Sequence, residues 1–193
     1  MINHLQPAGL QAPHIRPFTP AQAAQHAITE GDHEELRFLV EQHHVHAATR
    51  TANGETLLMF ATRQADPGAF NALAPSLQPH RVNEVDQQGN TVLHHLALHL
   101  TNRTMQGGAW ADGLDDFLNT LAADIDWEQE NHQGSTAPEF ATALRRTRLL
   151  NVLSAFIPDD TDSDVSEPTD NSAGDLLNEA HDRFMSRKRG RGG

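Results

Sequence analysis

Histidine and the carboxylates are the residues in this chain that could do chemistry. Its 193 residues include 13 His, 26 Asp plus Glu, and no Cys or Tyr. His95 and His99 stand four apart, the spacing that puts two imidazoles on one helix face in a zinc site. His43, His44 and His46 form a second cluster. No third ligand with a general base stands out, and most of these His read as exposed or structural. Because imidazole also titrates near neutral pH, a His-based metal- or pH-responsive regulator is the alternative function these residues define. The lack of Cys removes disulfides, thiolate zinc sites and Cys nucleophiles. Asp112, Asp115, Asp116, Asp124, Asp126, Glu128 and Glu130 are the densest carboxylates. A glycosidase needs two such groups in a cleft with separated pKa values; nothing here marks a pair, and the run reads as a solvated acidic face. A Gly-rich phosphate loop, a nucleophile elbow and a His-Glu-x-x-His helix are all missing. The sequence therefore points away from an enzyme and implies no cofactor and no small-molecule substrate.

The elements that would position these groups follow from how charge and apolar residues are distributed. Formal net charge is −12 and hydrophobic content 37%. A nucleic-acid binder needs a basic face to meet phosphates, so that partner class is disfavoured. The longest apolar stretch, 149–157, is far short of the ~20 residues a membrane span needs, and no secretory h-region opens the chain. A soluble protein is expected. Residues 1–19 contain Pro7, Pro13 and Pro17, no acidic residue and no helical periodicity; they read as a disordered arm. Residues 20–157 hold 17 acidic and 8 basic residues, net −9, and carry nearly all the Leu, Phe and Ala. Residues 158–193 open on the acidic run Pro158 to Asp164. They continue through Leu176, Leu177, Ala180 and Phe184, spaced for one helical face, to a basic end at Arg187–Arg191.

Internal repeats organise the middle segment. Three stretches align without gaps: GETLLMFA (54–61), GNTVLHHL (89–96) and GSTAPEFA (134–141), with Thr56, Thr91 and Thr136 each two after the Gly. The steps are 35 and 45 residues, and a fourth unit fits the same frame from Pro20, with Gly31 and Leu39 in register. Each unit predicts a short helix, a turn, a second helix and a long return loop. Thr caps the first helix. Ala27, Ala61 and Ala97 allow close helix approach. Second helices are expected over Glu35–Val40, Ala69–Leu73, Asp116–Leu121 and Leu149–Leu153. One such pair buries too little surface to fold alone, so the units must share a stacked core.

These residues resemble the ankyrin repeat, which runs roughly D-x-x-G-x-T-P-L-H-x-A-A and closes on V-N-x-x-D before the next Gly. Here VNEVDQQGNTVLH (82–94) is close, and IDWE (125–128) before Gly134 is a looser copy. The resemblance covers residues 20–157 as four units; Met59 and Glu139 replace the family's His, and Pro138 replaces Leu. It implies an all-α ankyrin-repeat solenoid of about four helix-turn-helix units with disordered ends, acting as a non-catalytic protein-interaction module. It also implies a partner-facing set on loop tips and the open side of the first helices. That set is Asn53, Glu55, Arg63 and Gln64 in the second unit, Gln87, Gln88, Asn90, Leu98 and His99 in the third, and His132, Gln133, Ser135, Ala143 and Leu144 in the fourth. His94 matches the family His that bonds neighbouring loop backbone.

The third unit is longer than its neighbours, and the excess, 101–113, falls between its two helices. Surface insertions often carry function. This one holds Met105 and Trp110 among Gly107, Gly108 and Gly113, so Trp110 joins the candidate partner-binding residues; the competing expectation is that its ring folds back on Phe117. Lys188 is the only lysine against 13 Arg, and the N-terminal arm is rich in Pro, Gln and Ala. Both fit a bacterial protein of the type III effector kind, secreted into a host cell; otherwise a cytoplasmic location is expected.

Overall fold

The computed structural model describes residues 18–158; the arm before it and the tail after it, with their expected disorder, helical face and basic end, lie outside the described residues. Within the described residues, eight α-helices follow one another in four antiparallel pairs. They are α1 (Pro20–Glu30) with α2 (His33–Gln42), α3 (Leu57–Arg63) with α4 (Pro67–Leu73), α5 (Val92–His99) with α6 (Ala109–Leu121), and α7 (Ala137–Ala143) with α8 (Thr147–Leu153). Among the described residues there is no strand, only an isolated bridge between Arg50 and Thr56. The first helices pack in the row α1, α3, α5, α7 and the second helices in the row α2, α4, α6, α8. This is an ankyrin-repeat solenoid of four units.

Each first helix starts at a Thr, and the reason is local. Thr19, Thr56, Thr91 and Thr136 sit in extended conformation at the N-caps. In every unit the side chain three residues on turns back to accept the cap's own N–H. Gln22 Oε1 does so at 3.0 Å, Met59 Sδ at 3.5 Å, His94 Nδ1 at 3.2 Å and Glu139 Oε2 at 3.0 Å. This reciprocal cap satisfies donors that a helix start otherwise leaves open. It explains how Met59 and Glu139 can stand where the repeat pattern has His: any acceptor at that position closes the cap. Thr19, placed in the N-terminal arm by composition, is therefore the first residue of the first unit.

The core lies between the two rows. Leu36, Leu57, Leu58, Phe70, Leu73, Leu96, Leu114, Leu118 and Leu149 are fully enclosed. Ala61, Ala97 and Ala141 are buried on the first helices, where a larger side chain would hold neighbouring helices apart. Gly54, Gly89 and Gly134 turn the return loops with φ of 83°, 77° and 71°, a region L-residues enter only at a cost.

The insertion differs from the expected surface loop between the two helices. Residues 104–107 form a 3-10 turn and α6 begins at Ala109, so most of the extra length extends the second helix to 13 residues. Trp110 is 2% exposed, with its ring 5.3 Å from Phe70, which in turn lies 5.5 Å from Phe117. Gly113 is not a hinge: a Cβ there would sit 1.8 Å from Asn71 Oδ1, so the residue lets α6 lie directly on α4.

Candidate functional site

The candidate surface is a ladder of loop tips with the exposed ends of the first helices. The tips of the third and fourth units are shaped by the residue three before the Gly. Asp86 Oδ1 accepts the N–H of Gln88 (2.8 Å) and of Asn90 (2.9 Å). Asn131 Oδ1 accepts those of Gln133 (2.9 Å) and Ser135 (3.3 Å). Neighbouring tips are then tied rung to rung. The N–H of His132 donates to Gln88 O at 2.9 Å, and Asn131 Nδ2 donates to Asn90 Oδ1 at 3.0 Å. Further back, Asn83 Nδ2 donates to Asp124 O at 2.7 Å and Asn83 Oδ1 accepts the N–H of Asp126 at 2.9 Å. The side chains Gln87, Gln88, His132 and Gln133 are left exposed on a backbone fixed by these bonds.

The expected partner-facing residues divide by exposure. Asn53, Arg63, Gln64, Gln87, Gln88, Leu98, His132, Gln133 and Ala143 are exposed, and Asn90, His99 and Leu144 are half-buried. Glu55, Ser135 and Trp110 are corrections to that set, because all three are buried. Glu55 is turned inward by a two-point bond to Arg63, 2.9 Å and 3.2 Å, and the guanidinium lies 4.8 Å above the Phe60 ring. Ser135 presents its carbonyl to His94 at 2.9 Å, and Trp110 fills the space between α4 and α6. Asp86 and Asn131 hold the tips in place and were absent from the expected set. The available signal was their shared register, three residues before Gly89 and Gly134.

The histidines are drawn into this scaffold. His95 Nε2 meets Asp86 Oδ2 at 2.9 Å with both side chains 6% exposed. The His99 ring stacks on His95 at 5.8 Å. Burial opposes ionisation of Asp86, but the donors on Asn90, His95 and Gln88 outweigh it and hold the carboxyl below its ordinary range. Burial lowers His99, helped by His95 and the Arg63 cation. Burial likewise lowers His94. His43 and His44 are exposed, as is His46. Among the described residues no group of three His, Asp or Glu is placed to hold a metal ion. The carboxylates Asp112, Asp115 and Asp116 point outward from α6, and Asp124, Asp126, Glu128 and Glu130 stand exposed on the loop that follows it. No helix of the described residues is long and apolar enough to cross a membrane.

No family model matches the sequence, and no curated protein is similar to it. Among solved structures, the chain is similar to the ankyrin repeat domain of Bcl-3, described as a unique member of the IkappaB protein family. The TM-score is 0.57 at 18% identity, over 85% of this chain and 72% of that one. At that identity the likeness extends to the fold: the chain has the architecture of an ankyrin-repeat domain.

Proposed function

We propose that this protein works by binding another protein through the ladder of tips and first-helix ends, without catalysis. The carrying observation is the rigid presentation of Gln87, Gln88, His132 and Gln133 by Asp86 and Asn131. Backbone-fixed, exposed polar side chains in a row, with Leu98 as an apolar spot 40% exposed, match the mixed surface of ordinary protein interfaces. Fold alone does not imply function, so the reading rests on this surface. Affinity capture with the full chain should be compared with a Gln88→Arg, His132→Glu, Gln133→Arg variant. The substitutions are at exposed tips and leave the melting temperature unchanged. Partners lost with the variant support the proposal; an identical set of captured proteins overturns it.

The finer proposal is that the binding takes place inside a host cell after bacterial delivery. It is supported by sequence alone, through the Pro-, Gln- and Ala-rich arm and the single lysine, Lys188. Fusing residues 1–19 to a reporter in a type III-competent bacterium tests it. Export of the reporter supports delivery; retention overturns it.

A further inference from the structure

The repeat units can be set in register by the turns between their paired helices. Gly31, Ala65 and Arg145 all take the left-handed backbone there, at φ 73°, 53° and 56°. Four residues before them stand Ala27, Ala61 and Ala141, and eight before them Ala23, Leu57 and Ala137. Four residues after them stand Glu35, Ala69 and Leu149. In the second and fourth units all of these positions are enclosed. Within the described residues no unit precedes the first, and there Ala23 is half-buried and Glu35 exposed. The stripe that is enclosed in the later units is open to solvent in this one.

A cleft of about 270 Å³ lies along it, with a lining of three kinds. Ala23 and Ala27, one turn apart on α1, contribute only methyl groups. Phe18 and His26 contribute aromatic rings 5.9 Å apart, and Phe18 is 67% exposed. Glu30, Asp32 and Glu35 contribute carboxylates. Asp32 Oδ1 accepts the Glu35 N–H at 3.0 Å and so caps α2. None of the three carboxylates has a Lys, Arg or His nitrogen within 4.0 Å among the described residues. Arg37, on the same helix as Glu35, does not line the cleft.

A polar face at the end of a stack keeps a repeat protein soluble, which accounts for the carboxylates but not for the aromatic ring beside them. The cleft is smaller than the roughly 300–1,000 Å³ of pockets that take small molecules, and its scale is that of one long side chain. Arg carries a charged head on an apolar stem. The stem matches the alanine methyls. The guanidinium plane stacks on an aromatic ring and pairs with carboxylates through two bonds at once. Arg therefore uses all three parts of the lining. We propose that this cleft takes an arginine side chain from a basic segment of another protein, at the end of the stack and apart from the ladder of tips. The net charge of −9 over residues 20–157 favours the approach of such a segment.

A capped tri-arginine peptide, titrated into the full-length protein at low salt, should shift the amide signals of residues 23–35 and saturate. The tri-citrulline peptide, of the same shape but uncharged, should leave them in place. Glu30→Gln, Asp32→Asn and Glu35→Gln together should weaken the binding by about tenfold or more, the equivalent of one charge-assisted hydrogen bond. Asn at position 32 keeps the cap of α2. Phe18→Ala should weaken the binding by about two- to fivefold, the equivalent of an exposed cation–π contact. All four substituted positions are exposed, so signals outside residues 18–35 should stay as in the wild type. Equal or larger shifts around Asp112, Asp115 and Asp116 of α6 would show attraction to any acidic surface and overturn the proposal. An unchanged affinity in either variant, an equal response to tri-citrulline, or no shift at residues 23–35 would overturn it as well.

Discussion

His94 of α5 spans two units: its Nε2–H donates to the carbonyl of Ser135 at 2.9 Å while its Nδ1 accepts the N–H of Thr91 at 3.2 Å. With one nitrogen donating and the other accepting, the ring is neutral. It closes the cap of its own helix and locks the next loop tip in a single arrangement. A charged imidazolium has no acceptor nitrogen and would break the cap. Burial acts in the same direction and lowers the basicity of His94.

A pH dependence follows with a definite sign. His94 and His99 are held below 6.5 in the folded chain, so as pH falls the unfolded chain binds their protons first. Their contribution to stability is complete above about pH 6.5 and is lost as pH falls through the folded values. Asp86, held below 3.8, adds a second loss at lower pH. Urea unfolding at pH 7.5, 6.5 and 5.5 should show stability falling more steeply with acid in the wild type than in His94→Gln. The variant should be less stable at pH 7.5. Equal slopes in the two proteins would refute the assignment.

Leu93 tests the stack itself. It is 3% exposed on α5, whose neighbours in the first-helix row are α3 and α7. Leu93→Ala should cost about 2–5 kcal/mol, the usual range for large-to-small core changes. In a one-dimensional stack the amide exchange of both flanking units should rise with it. A loss below about 0.5 kcal/mol, typical of surface positions, would be incompatible with the core described here.

Ala65 gives a prediction of opposite sign. It occupies the turn between α3 and α4 at φ 53°. Ala65→Gly removes left-handed strain of about 1–2 kcal/mol and increases unfolded-chain entropy by about 0.4–1 kcal/mol. The variant should therefore be more stable by up to about 1 kcal/mol, seen as a rise in the urea midpoint without a change in slope. A lower midpoint would mean that the Ala65 methyl packs usefully.

Much of this architecture could be read from the sequence, and what escaped did so for identifiable reasons. Gly54, Gly89 and Gly134 and the Thr two residues after each marked the turns and caps, because both positions demand particular backbone chemistry. Gln22 and Glu139 were harder to read as cap partners, since several side chains can accept the same N–H. Glu55 and Ser135 follow the turn glycines directly and looked exposed. What buries them is tertiary: the Arg63 guanidinium for one and the His94 imidazole for the other. The start of α6 was hidden by Gly107, Gly108 and Gly113, which locally favour a loop. The close approach of Asn71 to Gly113 is a contact between units that no local pattern encodes.

Trp110 is where that hidden contact can be measured. Its ring lies 5.3 Å from Phe70 on α4, one unit back, so it fastens the extended helix α6 to the preceding unit. Trp110→Ala should lower stability by about 3–5 kcal/mol, as expected for deleting a buried aromatic ring, and lower the melting temperature accordingly. Below the new transition, the folded variant should keep the wild-type affinity for a protein captured through the loop tips, because those tips are fixed by Asp86 and Asn131 rather than by α6. Calorimetric unfolding and binding of the same preparation separate the two effects. An unchanged melting temperature with reduced affinity would place Trp110 at the interface and contradict its packing between α4 and α6.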